Sequence, residues 1–282
     1  MQRAIAVILL AGGLAGGLAA SGCSHRNAGS AGDAGPVTRV HYVVRDTARS
    51  WTGDSTRSPE EVSVAFVWPH FTAAPGAAAV DSLNAFVHAS LVSPYARAGT
   101  YASLDSLMNE FIADYRRYRH DFPAAPSGWY LKRTVDVAGD TAGVACLSVY
   151  EESFGGGAHP NAATRLVLFD EHTGRRLGLD DLVSAASRDS LTHLGEAAFR
   201  SVRQIPAGQT LTAAGFWFKH DQFALTDNVG ISPRGLVFLF NDYEVGPHVM
   251  GPTRIELGWD AVRPLLRADG ALGALVQRGG PS

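Results

Sequence analysis

The fold of this 282-residue chain is decided by residues 129–170, which read WYLKRTVDVAGDTAGVACLSVYEESFGGGAHPNAATRLVLFD. Three runs in this stretch have the composition of β-strands, at residues 129–137, 143–153 and 162–170. Residues 138–141 predict a tight turn that joins the first two strands as a hairpin. Consecutive strands with short connections predict a sheet that is mostly antiparallel.

Two helical segments precede these strands. The first is predicted at residues 79–91, after strand-like runs at residues 37–44 and 61–68. The second carries an apolar stripe from Leu104 to Tyr118 at helical spacing, with Ser103 as a candidate N-cap and Pro123 as the terminator. A stripe of this length is typical of a helix that packs on a core.

After the central strands the pattern continues to mix helices and strands. A helix is predicted at residues 187–203, and a final one begins near Trp259. Shorter strands are predicted at residues 223–226, 236–241 and 253–257. Strand groups with helices inserted between them favour an α+β fold over a doubly wound parallel sheet. We expect two intimately packed α/β subdomains with mostly antiparallel sheets, at residues 37–165 and 166–282.

The N-terminus has the order of segments that marks a secretory signal peptide, at residues 1–22. A positive charge is followed by an apolar run and then by small residues. The sequence Ala-Ser-Gly-Cys at residues 20–23 resembles a bacterial lipobox, in which Cys23 is lipidated and becomes the mature N-terminus. An ordinary cleaved signal and a transmembrane anchor are the alternatives.

Residues 23–36 are rich in Gly, Ala and Ser and predict a flexible tether between the lipid and the folded part. We therefore expect an exported protein that is attached to a lipid bilayer through Cys23. Ser24 is not the Asp that retains lipoproteins in an inner membrane. The expected location is the periplasmic side of the outer membrane in a Gram-negative cell, and otherwise the outer face of the cytoplasmic membrane.

Composition excludes several classes of function. The formal net charge of −3 provides no basic surface for nucleic acid. The second cysteine, Cys146, lies in an apolar strand-like run and is expected to be a small buried side chain. The chain has no His-Glu-x-x-His, no paired cysteines, no calcium-loop spacing and no phosphate-binding loop, so we expect neither a metal nor a cofactor.

The glycine-rich segment at residues 155–161 is the most unusual part of the mature chain. Three glycines between two good strands permit positive φ and close backbone approach. One interpretation is a ligand-binding loop. The other is a structural crossing in which the histidine satisfies a buried carbonyl group. The candidate ligand-binding residues of this segment are Gly156, Gly157, His159 and Asn161.

Several segments together resemble a known family. These are the Gly-Gly-Ala-His run at residues 156–159, Leu-Asp-Asp-Leu at 179–182 and Tyr-Glu-Val-Gly-Pro at 243–247. In this order they are similar to the RsiV-like extracellular domain. That domain forms the outer half of a lysozyme-sensing anti-sigma factor and the N-terminal part of a peptidoglycan deacetylase. The resemblance covers roughly residues 60–268, and neither a deacetylase domain nor an anti-sigma segment accompanies it here.

The resemblance implies a stand-alone, non-catalytic binding or sensing domain on a lipid tether. Its expected partner is peptidoglycan or a wall-active protein such as lysozyme. Residues 241–251 form a second expected binding segment, in which Tyr243 and His248 offer aromatic and hydrogen-bonding contacts. The alternative is a peptidoglycan-modifying hydrolase in which His159 acts as general base with Glu151 or Glu152.

Overall fold

A computed structural model describes residues 39–52, 62–95, 100–123 and 128–277. The expected signal peptide, Cys23 and the tether lie outside the described residues. Within the described residues, no helix is long and apolar enough to span a bilayer.

The described residues form nine strands in two sheets. The larger sheet contains six strands, in chain order β1 (His41–Trp51), β2 (Val62–Ala73), β3 (Trp129–Thr141), β4 (Val144–Phe154), β5 (Asn161–Asp170) and β6 (Arg176–Leu177). Neighbouring strands are antiparallel except for the β2–β3 pair, which is parallel. The smaller sheet is antiparallel, with β7 (Val229–Ser232), β8 (Gly235–Phe240) and β9 (Thr253–Gly258) in order.

Helices are inserted between the strand groups, which confirms the α+β class. Helices α1 (Ala77–Leu91) and α2 (Leu104–Asp121) form the crossover that the parallel β2–β3 pair requires. The remaining helices follow the central strands, and most of them are short. They are α3 (Leu179–Leu182), α4 (Arg188–Val202), α5 (Trp259–Val262) and α6 (Gly273–Gln277).

The large sheet lies between two apolar cores because successive side chains of a strand point to opposite faces. Leu147 and Phe169 pack with α1 and α2 on one face, whereas Cys146 and Leu168 join the core under the smaller sheet. Helix α4 covers the far side of the smaller sheet, where Phe199 contacts several aromatic rings. The boundary predicted between residues 165 and 166 falls inside β5, a strand that contributes to both cores.

Helix α2 forms where the sequence predicts it. Its buried residues lie on the predicted apolar stripe, and Ser103 and Ser106 form a reciprocal capping box with distances of 3.1 Å. The helix ends at Asp121, two residues before Pro123. Local sequence signals therefore decide this element.

Two predictions about strands are wrong. The turn predicted at residues 138–141 lies within β3, which continues past a bulge to Thr141. The turn that connects β3 and β4 is Ala142–Gly143, and both residues have positive φ. Residues 223–226 form no strand, because Phe223 packs as a loop residue against Phe199. The strand that pairs with β8 is β7, whose four residues are all buried.

Candidate functional site

The glycine-rich loop connects β4 and β5, and only one of its glycines is required by the geometry. Gly156 has φ +87°, and a Cβ there would lie 3.3 Å from Nε1 of Trp129. A Cβ at Gly155 would meet nothing within 4 Å, and one at Gly157 would meet only a backbone oxygen at 3.9 Å. The loop is exposed to solvent. Gly155 and Gly157 are not required by packing against neighbouring residues.

The other end of this loop approaches the segment after β8. The imidazole rings of His159 and His248 stack with centroids 4.1 Å apart and an angle of 12°. The ring of Tyr243 lies 5.5 Å from that of His248 and 6.3 Å from that of His159, again nearly parallel. We call His159, Tyr243 and His248 the ring cluster. It unites the two segments that the sequence separates by more than 80 residues.

Both ring nitrogens of His159 form hydrogen bonds. Nδ1 of His159 lies 2.8 Å from the carbonyl oxygen of Pro160, which can only accept, so Nδ1 carries the proton. Nε2 of His159 forms a hydrogen bond with the hydroxyl of Tyr243 at 3.1 Å. Tyr243 has φ +64°, a backbone conformation that non-glycine residues seldom adopt. The position of its ring is therefore set by the surrounding structure.

A carboxylate lies behind the ring cluster. Oδ2 of Asp242 is 3.2 Å from Nδ1 of His248, although the two atoms do not have hydrogen-bond geometry. Oδ1 of Asp242 is buried and has no hydrogen-bond partner among the described residues. A buried carboxylate oxygen without a donor is costly. A ligand hydroxyl or a water molecule at this position would satisfy it.

A second polar group lies on the same face of the sheet; sequence reasoning named its Glu152 but missed Tyr130 and Tyr150. Glu152 accepts hydrogen bonds from Tyr130 at 2.7 Å and from Tyr150 at 3.3 Å. Burial, together with the Glu152 hydrogen bond, raises the pKa of Tyr130 to about 12. Burial also raises the pKa of Tyr150, and the charges of Glu152 and Asp242 raise it further. Asp242 directly precedes Tyr243 of the ring cluster. The i, i+2 spacing of Tyr150 and Glu152 was the available signal.

The adjacent glutamate has a different environment. Glu151 points to the opposite face of β4 and pairs with Arg133 at 2.6 Å. The Arg133 side chain is 1% exposed and also donates to the carbonyl oxygens of Leu91 and Ser93 at the end of α1. Glu151 therefore neutralises a buried guanidinium rather than facing the ring cluster.

The remaining predicted residues have simpler positions. Asn161 is exposed at the start of β5, where its backbone pairs with Ser153. Cys146 is fully buried, and burial raises the pKa of its thiol to about 11, so it is not a reactive thiolate. Across the four described ranges, no group of three or more His, Cys, Asp or Glu side chains is placed to hold a metal ion.

The fold and the site together define a mixed α+β protein with an exposed aromatic and polar surface between two segments of the chain. Residues 180–260 match the model of a family described as a protein of unknown function, DUF3298. The chain therefore carries a DUF3298 domain. No protein with curated annotation matches the chain.

Two solved structures described as DUF3298 family members share the fold. A DUF3298 family member from Bacteroides fragilis superposes with a TM-score of 0.66 at 18% identity, over 84% of this chain and 98% of that one. A DUF3298 family protein from Pseudomonas aeruginosa superposes with a TM-score of 0.56 at 14% identity, over 82% and 94%. The link to RsiV-like extracellular domains stays a prediction.

Proposed function

We propose that this protein is a lipid-anchored protein of the bacterial cell envelope whose folded part binds the glycan of peptidoglycan without catalysing a reaction. The observation that carries the proposal is the ring cluster. Its three rings are within 12–29° of parallel, and the phenol of Tyr243 is 54% exposed. The exposed ring of Tyr243, at the two stacked imidazoles, suits the C–H face of a pyranose ring.

Polar groups around the ring cluster suit the rest of a sugar. The carboxylate of Asp242, whose side chain is 14% exposed, lies beside His248 with Oδ2 3.2 Å from Nδ1, and its accessible part offers an acceptor to a sugar hydroxyl. Glu152 and its two tyrosine hydroxyls provide further acceptors and donors on the same face. A few placed polar groups beside aromatic rings are typical of small-molecule sites.

The expected anchor supports the choice of ligand. A tether from Cys23 to the first described residue, Arg39, would span on the order of 20 Å as a random coil. A domain held at that distance from a bilayer would lie next to the cell wall.

The hydrolase alternative requires Glu151 or Glu152 to act with His159. Glu151 neutralises the buried Arg133, and Glu152 accepts from two phenols. His159 is instead hydrogen-bonded to Pro160 and Tyr243. These partners favour binding over proton transfer.

The test is retention of the full-length chain on insoluble peptidoglycan. We expect His159→Ala and Tyr243→Ala each to weaken retention by about tenfold, because each removes part of the stacking surface, and to keep a cooperative unfolding transition. Tyr42→Ala is the matched control, since Tyr42 is 40% exposed on β1, away from the ring cluster. Equal retention of all four proteins would contradict the proposal.

Two further measurements separate the alternatives. If the protein binds lysozyme in the absence of glycan and is not retained on peptidoglycan, its ligand is a protein and not a glycan. Release of acetate or of reducing ends that disappears in His159→Ala would establish a hydrolase. Loss of the unfolding transition in either variant would assign that residue a structural role.

A further inference from the structure

Strand β8 presents two different faces. Leu236, Phe238 and Phe240 belong to the core beneath α4. Val237 and Leu239, which point the other way, are 3% and 9% exposed but belong to neither apolar core. They face the large sheet across a cleft.

The side chains on the opposite wall of this cleft are too small to fill it. Ala138, Ser148 and Thr164, on three adjacent strands of the large sheet, face the two aliphatic side chains of β8. The resulting cavity has a volume of about 270 Å³. Protein interiors seldom leave such a space, and it lies just below the range of about 300–1,000 Å³ typical of small-molecule sites.

The cleft is closed at one end and open at the other. At the β7 end the sheets touch, because a Cβ at Gly230 would lie 2.8 Å from Sγ of Cys146 and 2.9 Å from a methyl group of Leu166. At the β9 end the cleft reaches solvent, since the side chain of Arg254 that lines it is 47% exposed. Arg254 of β9 lines the open end.

The open end carries a network of two guanidinium groups and one carboxylate. Glu256 is paired with both Arg234 and Arg254, at 2.8 Å and 2.9 Å. These hydrogen bonds, with Arg234 first, lower the pKa of Glu256 to about 2, so its carboxylate is charged. Two guanidinium groups therefore share one carboxylate, beside an apolar cavity.

We propose that this cleft binds a small aliphatic monocarboxylate, with its chain between Val237 and Leu239 and the floor of the large sheet. The carboxylate lies at Arg254, and the hydroxyls of Ser148 and Thr164 contact the part of the ligand nearest the opening. The site is separate from the ring cluster, and the inference does not depend on glycan binding.

A carboxylate of the large sheet lies close in register to the cleft. Asp136 is directly opposite Ser148 in the β3–β4 pair. If Asp136 rather than Arg254 selected the ligand, its carboxylate would favour an amine over an acid at the opening. A comparison of an acid with an amine of equal length therefore tests the assignment of the head group.

The probe is sodium octanoate, measured by calorimetry with the full-length chain carrying Cys23→Ala, which keeps the whole chain but removes the expected lipid. We expect saturable binding, weakened about tenfold in Arg254→Gln. Arg117→Gln, which removes an exposed guanidinium on α2, should bind like the parent. Ser148→Leu should fill the cavity and abolish binding.

The outcomes are distinct. No saturable binding of octanoate, or equal binding by parent and Arg254→Gln, would overturn the proposal. Binding of octylammonium or 1-octanol as strong as that of octanoate would overturn the carboxylate assignment. If Ser148→Leu does not fold, the Arg254→Gln comparison still decides, because Arg234 continues to neutralise Glu256 in that variant.

Discussion

At the scale of single residues, Glu171 has the most unfavourable electrostatic environment among the described residues. It is fully buried, and its two side-chain oxygens meet no N–H donor there. Burial first, and then the adjacent Asp140, raise its pKa to about 8, while Arg39 opposes the shift only in part. Its backbone bonds to Gly143 and Gly76 fix it between a hairpin turn and the start of α1. Burial and the neighbouring Asp140 therefore favour the neutral form of Glu171.

The raised pKa makes stability depend on pH. The folded state prefers protonated Glu171, so its contribution is complete below about pH 4.5, the ordinary value, and is lost as pH rises through about 8. We expect Glu171→Gln, a neutral isostere, to be more stable than the parent at pH 8.5 by at least about 1 kcal/mol. At pH 5 the two should be nearly equal. Urea unfolding at both pH values measures the difference.

Glu196→Gln is the matched control, because Glu196 lies half-buried on α4 and pairs with Arg200. It should not become more stable at high pH. A constant difference between Glu171→Gln and the parent across this range would show that Glu171 is ionised in the folded protein.

At the scale of elements, the β3–β4 hairpin turns at Ala142–Gly143 and not at the predicted residues 138–141. Gly139 and Asp140 have turn-forming composition, but they lie at a bulge that lengthens β3. A Cβ at Gly139 would lie 2.5 Å from the carbonyl oxygen of Ile231, so this glycine serves packing against β7. In the sequence, a glycine that forms a turn and a glycine that packing requires look the same. Only the contact with β7 shows that Gly139 serves packing.

The true turn contains a residue that is poorly suited to it. Ala142 has φ +54° and Gly143 has φ +84°, the pattern of a type I′ turn, which favours Asn-Gly. We expect Ala142→Asn to stabilise the protein by about 0.5–1 kcal/mol, because asparagine tolerates positive φ better than alanine. The midpoint of thermal unfolding should rise by a few degrees at most.

Gly143→Ala provides the opposite test at the next position. It should destabilise the hairpin, because alanine disfavours that φ. A lower melting midpoint for Ala142→Asn would mean that the turn differs from type I′.

At the scale of the whole molecule, two asparagine side chains connect the large sheet to the C-terminal half. Asn228 accepts from the backbone N–H of Leu166 and donates to the carbonyl oxygens of Thr164 and Leu239, at 2.7–3.0 Å. Asn241 accepts from the N–H of Thr164 and donates to its carbonyl oxygen. These amides satisfy the free edge of β5 where no strand pairs with it.

Removal of this connection should loosen the packing of the two sheets. We expect Asn228→Ala to lower the free energy of unfolding by about 2–4 kcal/mol, because Leu166 N–H and the Leu239 carbonyl lose the Asn228 amide and the Thr164 carbonyl keeps only Asn241. The amide of Leu166 should exchange with solvent faster than those of β4, because Asn228 is its acceptor. Hydrogen exchange and urea unfolding measure both effects.

Asn109→Ala is the control for this change, since Asn109 is exposed on α2 and its amide contacts only the side chain of Arg49. It should change stability by less than about 0.5 kcal/mol. Unchanged exchange at Leu166 in Asn228→Ala would show that the contact does not hold the sheets together.

The sequence by itself determined the elements whose signals are local. The apolar stripe and Ser103 specify α2, and the patterns around Leu131, Leu147 and Leu168 specify the three central strands, because periodicity and capping act within a few residues. The α+β class follows from the order of these elements.

Only the tertiary structure decided the rest, because the relevant contacts join residues far apart in the chain. His159 and Tyr243 meet across 84 residues, and Asn228 finds Thr164 across 64. Strand β7 is four residues long, too short to show a period, and exists because β8 pairs with it. Such contacts depend on how two sheets pack on each other, and no local pattern in one sequence encodes that arrangement.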